Sequence, residues 1–233
     1  MLQDHRVQKS STPVLFHPDL HKRNIFVSEE DPTVITAFID WQSASIEPAF
    51  WYADMVPDFA QSSASNQEDS KAEHIDELCA KAFDACTQFR VPKLSGPRLM
   101  DENLFRPFRY CFRTWKDGGV AFRHELIETS KRWTELGLEG QSPYVIPSRE
   151  ELDKHEKEYR MFVAAQELRY TLSQMLNVAS DGWVPPDEFE TARAGQKEIF
   201  EGILHEIISN DAPDDNEPLN NEDDLKEIWP FEL

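Results

Sequence analysis

The sequence predicts an α+β fold that is mostly α: a short β-hairpin near the start, then a bundle of five or six helices. Three observations predict it. Two β-rich apolar runs, 24–27 (NIFV) and 34–39 (VITAFI), flank a polar, proline-containing turn at 28–33 (SEEDPT). From about residue 67 the apolar residues recur at helical spacing. Hydrophobic residues make up 39% and aromatics 11% of the 233 residues, which supports a real core and excludes a disordered chain.

The elements follow in order. Residues 14–16 (VLF) read as a short strand ahead of a polar loop, and 24–27 as the strand after it. The run 34–39 ends at Asp40. Residues 41–66 mix aromatics with Pro48 and Pro57 and close on a polar stretch. Ile75, Leu78, Cys79, Ala82, Phe83 and Cys86 share one stripe of a helix and are expected to face the core. Residues 101–116 continue as an aromatic-rich helix that breaks at Gly118-Gly119. Val120, Phe122, Leu126, Ile127 and Trp133 suggest another helix, stopped near Gly137–Gly140. Ser148 with Glu151 forms a capping-box pattern that opens a long helix to about residue 179. Pro185-Pro186-Asp187 opens the last long helix, to about Ser209. Residues 210–227 carry many acids, Asn and Pro and read as a mobile tail, with WPF at 229–231 able to dock back. Trp115, Trp133 and Trp183 are expected to be packing residues.

Forty-four acids against 24 bases give a net charge of −20. Such a surface repels phosphate backbones, which argues against nucleic acid and anionic membranes as partners. Cys79, Cys86 and Cys111 show no metal spacing and no even disulfide count. They are expected to be reduced core thiols of an intracellular protein. No apolar run approaches the roughly 18 residues of a membrane span. The first thirteen residues, MLQDHRVQKSSTP, lack the apolar centre of a signal peptide.

The chemistry is concentrated in V14-L-F-H-P-D-L-H-K-R-N-I-F-V27. His17, Asp19 and Asn24 fall in the spacing H-x-D-x-x-x-x-N, and Asp40 lies sixteen residues further on. Phosphoryl transfer from ATP uses one carboxylate to accept the proton of a hydroxyl, and an Asn and an Asp to hold Mg²⁺. Mg²⁺ is a hard cation, so amide and carboxylate oxygens suit it. Asp19 also reads as a turn cap, Asn24 as a loop residue and Asp40 as a helix N-cap. His17 and His21 have a zinc-like His-x₃-His spacing, with no third N or S ligand near. Asp54 and Asp58 fall on one prospective helical turn and are candidates to face an acceptor.

HPDLHKRNIFV followed by FIDWQSASIEP resembles the aminoglycoside phosphotransferase family of kinase-like enzymes, over about residues 14 to 57. That family carries an H-x-D-L-H-x-x-N catalytic loop and then an I-D-[WFY] motif. The resemblance is nearest to fungal members, the altered-inheritance-of-mitochondria group among them. It implies that Asp19 is the catalytic base, that Asn24 and Asp40 are metal ligands for Mg-ATP, and that His17 and His21 shape the loop. It also implies a small-molecule hydroxyl as acceptor and a mitochondrial location. Lys22-Arg23 departs from the pattern, standing where many members have a small pair such as Pro-Gly.

By the same resemblance, residues 1–209 form a kinase-like C-lobe, with catalytic loop and metal hairpin at 14–57 and the helical part at 67–209, and 210–233 an acidic tail. In kinase-like folds a Gly-rich loop and a lysine precede the catalytic loop and take on the order of a hundred residues. Here sixteen residues precede His17, with one lysine, Lys9, and no glycine. The expectation is therefore a C-lobe without its N-lobe. Three readings are open. The chain is a fragment or incomplete gene product of a small-molecule kinase, inactive when isolated. It is a natural truncated pseudokinase acting as a binding or regulatory module, with a protein partner on the exposed C-lobe face. Or the N-lobe comes from another polypeptide.

Overall fold

The computed structural model describes residues 1–52, 55–60, 70–176, 178, 184–209 and 217–232. They form two compact units, Met1–Arg109 with Arg132–Gln141, and Tyr110–Lys131 with Ser142–Leu233. The structure is mostly helical with two small antiparallel sheets, in keeping with a mostly-α α+β fold. Among the described residues no helix is long and apolar enough to cross a membrane.

The first unit opens with α1 (His5–Ser10), which the sequence reading did not anticipate. Asp4 caps it by accepting the Arg6 N–H at 2.8 Å. The Arg6 guanidinium returns to the same carboxylate at 2.7 Å and also donates to the Leu136 carbonyl at 2.6 Å. These bonds hold the Asp4 carboxyl down to about 2, against the opposing effect of burial. The anchor seats Val7 in a core with Leu104, Trp133, Leu136 and Leu138.

The four strands are nested. β2 (Ile25–Val27) and β3 (Ile35–Phe38) form the expected hairpin, with an irregularity between Phe26 and Val27. β1 (Pro13–Phe16) does not join them. It pairs with β4 (Ser45–Pro48), Phe16 opposite Ser45 and Pro13 opposite Pro48. β4 was missed because Ser-Ile-Glu-Pro has one apolar side chain, Ile46, and that side chain faces solvent. The β1–β4 pair thus brackets the hairpin and sets residues 13–16 beside residues 45–48. A 3₁₀ turn, Ala49–Tyr52, follows and buries Phe50 against Phe105 and Phe108.

α2 (Ser70–Arg90) and α3 (Pro92–Leu99) complete this part. α2 corrects the expected core stripe. Ile75, Leu78, Cys79, Ala82 and Cys86 are exposed, while Asp76, Ala80 and Phe83 are half-buried and Thr87 is buried. The packing face is thus turned by about one residue's rotation (~100°) from the most apolar one. Phe83 fixes that turn, lying edge-on to Phe59 and beneath the Arg98 guanidinium. All three cysteines are therefore exposed free thiols rather than core thiols.

α4 (Arg106–Asp117) begins in the first unit and ends in the second, where Gly118 takes a φ of 72° that closes the helix. Trp115 is 79% exposed, against the expectation of packing, whereas Trp133 is buried. The second unit continues with α5 (Gly119–Lys131) and α6 (Arg149–Met175), the latter opened by the expected Ser148–Glu151 capping box. α7 (Phe189–Ser209) follows. The second half of the expected mobile tail is instead α8 (Glu222–Ile228), capped by Asn221. Its Leu225 joins Leu172, Phe200 and Trp229 in the core of this unit. Trp229 docks as anticipated, T-shaped on Phe200 and donating its indole N–H to Gln196 at 2.9 Å. Asp54, Trp183 and residues 210–216 lie outside the described residues.

Candidate active site

The loop between β1 and β2 is built around His17, which is buried. Its backbone N–H donates to the Tyr52 hydroxyl at 2.9 Å, and that hydroxyl donates to the Leu15 carbonyl at 2.8 Å. Burial, aided by the Glu47 charge, raises the Tyr52 phenol, so it stays a donor. The His17 ring accepts the Asp19 N–H at Nδ1, 3.3 Å away. Nε2 then carries the ring proton and donates to the Ile39 carbonyl at 3.0 Å. His17 therefore joins the loop start to the residue before Asp40, and Trp41 packs edge-on to its ring. With both ring nitrogens engaged, His17 has no lone pair for zinc.

Asp19 meets three side chains. Asn24 Nδ2 donates to Oδ2 at 2.9 Å and to the Asp19 carbonyl at 2.8 Å. Arg23 Nη2 reaches Oδ2 at 2.7 Å and Oδ1 at 3.0 Å. His21 Nε2 lies 2.9 Å from Oδ1. Burial alone would raise this carboxyl, but the bonds from Asn24 and Arg23 and the nearby His21 and Arg23 charges outweigh it. The net shift is downward, so Asp19 is ionised at neutral pH.

Asp58 ties the loop from the other side. Its carboxylate accepts the Lys22 N–H at 3.0 Å, capping the 3₁₀ turn Lys22–Asn24, and its Oδ2 lies 3.6 Å from His21 Nδ1. His21 thus stands between two carboxylates. The sequence suggested Asp58 as an acceptor-facing group, and the structure puts it against the loop instead.

Asn24 is buried, and its backbone carbonyl accepts the Ile39 N–H at 3.0 Å. That bond extends the β2–β3 ladder and sets the Asn24 backbone beside the chain leading into Asp40. Asp40 is exposed with φ 61°, in the left-handed region. Asp tolerates that conformation better than most residues, at some strain, and such strain clusters at functional positions. Because Asn24 spends its amide nitrogen on Asp19, its Oδ1 is the atom left for a cation.

Sequence reasoning missed Tyr52 and the engagement of Asp19 by Arg23. Asp19 and Arg23 are four residues apart, but that spacing marks a contact only on an α-helix, and residues 19–21 are not helical. No local pattern signals a contact across the 35 residues from His17 to Tyr52.

The family model described as the phosphotransferase enzyme family matches residues 1–51, the segment that holds all four strands and the loop between them. Comparison with curated proteins gives no match, and comparison with solved structures gives none.

Proposed function

We propose that this chain carries the base and metal-binding part of an ATP-dependent phosphotransferase acting on a small-molecule hydroxyl. The supporting observation is the assembly of Asp19, Asn24 and the chain into Asp40 around buried His17. In the reaction, the acceptor oxygen forms a bond to the γ-phosphorus as the bond to the β,γ-bridging oxygen breaks. The hydroxyl proton passes to Asp19, giving ADP and a phosphate monoester. Asp19 is ionised and half-exposed, as an orienting base must be.

The donor set fits Mg²⁺: Asn24 Oδ1 and the Asp40 carboxylate are hard oxygens, and Mg²⁺ is commonly held by one or two carboxylates plus phosphates and water. Two protein ligands would leave the remaining positions to phosphates and water. Bound there, Mg²⁺ would neutralise phosphate charge. The eight glycines include no G-x-G-x-x-G, so the elements that cover ATP in kinase-like enzymes are not recognisable in this sequence.

The test is phosphate transfer from radiolabelled ATP by the purified chain across a hydroxyl-compound panel, with Mn²⁺ binding read in parallel. Asp19→Asn should abolish transfer and keep Mn²⁺ binding, and Asp40→Ala should abolish both. Wild-type turnover in Asp19→Asn would overturn the assignment. A second reading is favoured by the exposed apolar β2–β3 hairpin, where Phe26, Val27, Ile35 and Phe38 face solvent. In it the chain has no turnover and binds a protein partner through that face. ATP turnover that Asp40→Ala removes would count against it.

A further inference from the structure

An ionised carboxylate offers about four lone-pair sites. At Asp19 three hydrogen bonds take three of them, Arg23 Nη2 on Oδ1 at 3.0 Å and on Oδ2 at 2.7 Å and Asn24 Nδ2 on Oδ2 at 2.9 Å, and His21 Nε2 stands 2.9 Å from Oδ1 as an ion-pair contact that covers the fourth. A hydroxyl that is to give up its proton there needs one of these sites, so one donor must leave first. Asn24 is buried and also bound to the Asp19 carbonyl. His21 is held between Asp19 and Asp58, and the next residue's N–H is pinned by Asp58. Arg23 differs: its side chain is 67% exposed, and Asp19 is its only side-chain partner among the described residues.

We propose that Arg23 is a latch on Asp19, and that the anion which opens it is a phosphate group of a polyphosphate ligand. In the resting chain the guanidinium occupies the carboxylate. When a polyphosphate arrives, the guanidinium turns to its oxygens, whose geometry it matches in pairs. Two carboxylate sites are then free for the hydroxyl. An exposed ion pair is weak enough for such an exchange. The consequence for turnover rests on the reading of Asp19 as base, but the exchange itself does not.

The experiment is calorimetric titration of the full chain with inorganic pyrophosphate, with and without Mg²⁺, for wild type, Arg23→Ala, Asp19→Asn and the double variant. Circular dichroism and thermal unfolding check that each variant is folded. Arg23→Ala should weaken binding about tenfold or more, and Arg23→Lys should recover part of it. Asp19→Asn should tighten binding severalfold, because the latch no longer competes, and that gain should vanish in the double variant. Binding by Arg23→Ala equal to wild type overturns the latch, and so does absence of pyrophosphate binding by the wild type. A gain from Asp19→Asn that persists without Arg23 also overturns it, since simple charge repulsion would then explain it. Failure of the phosphotransferase reading looks different: no ATP turnover, with the pyrophosphate cycle intact.

Discussion

Replacing His17 by Ala tests whether this residue shapes the loop. The ring makes two hydrogen bonds, from Nε2 to the Ile39 carbonyl at 3.0 Å and to Nδ1 from the Asp19 N–H at 3.3 Å. Each is worth about 1 kcal/mol net, and the partners left behind can add about as much again if water does not reach them. The expected loss is therefore about 2–4 kcal/mol, the upper end applying if the site stays dry, since His17 is 6% exposed. Urea unfolding followed by far-ultraviolet circular dichroism reads the total. Amide hydrogen exchange at Asp19 reads the local part, and protection there should fall while the α7 amides stay unchanged. His17→Gln should recover part of the loss by restoring one polar contact. A loss under about 0.5 kcal/mol, within the range of an ordinary surface substitution, would refute the account.

Three further outcomes follow from the same structure. His155 is buried with neither ring nitrogen hydrogen-bonded, and burial, then the Arg123 charge, hold it below its usual value. Lys131 adds to that effect, Glu158 and Glu128 oppose it, and the His124 and Tyr159 rings face it. Below about pH 6.5 the unfolded chain binds a proton that the folded chain refuses, so the urea midpoint should fall as pH drops from 7.5 to 5.5, and less steeply in His155→Phe. Asp4, with its folded value at about 2, contributes stability above its usual 3.8 that is lost as pH falls toward 2. Asp4→Asn should thus cost about 1–2 kcal/mol at pH 7 and far less at pH 2 in acid titration of unfolding. Trp229→Ala removes a buried indole and leaves Gln196 Oε1 without its donor, and should lower stability by about 3–5 kcal/mol in denaturant unfolding.

Where the sequence was legible, one physical signal dominated. The β2–β3 hairpin has two apolar runs about a polar turn, and α6 has a capping box whose side chains both bond as the pattern requires. Where it was not, the deciding term was tertiary. β4 exists because the β1 backbone offers it a partner, not because Ser-Ile-Glu-Pro prefers to be extended. α2 packs on Phe83 and Thr87, and periodicity cannot tell which of two adjacent faces a neighbour will cover. α8 sits in a run rich in acids, and its order comes from Leu225 and Trp229 reaching a core far back in the chain.

The candidate site divides along the same line. His17, Asp19, Asn24 and Asp40 could be named from spacing because their chemistry is local to one hairpin and the loop before it. What surrounds Asp19 could not, since a string of letters does not show how many donors a carboxylate collects. That number changes the meaning of the motif. An aspartate with a free lone pair is a base in waiting, whereas Asp19 shares its oxygens with Asn24, Arg23 and His21. The same contacts lower its proton affinity and cover its oxygens. Asn24 cannot be spared without unmaking the loop, and His21 is held by Asp58 on its far side. The exposed guanidinium of Arg23 is the group whose departure costs the fold least.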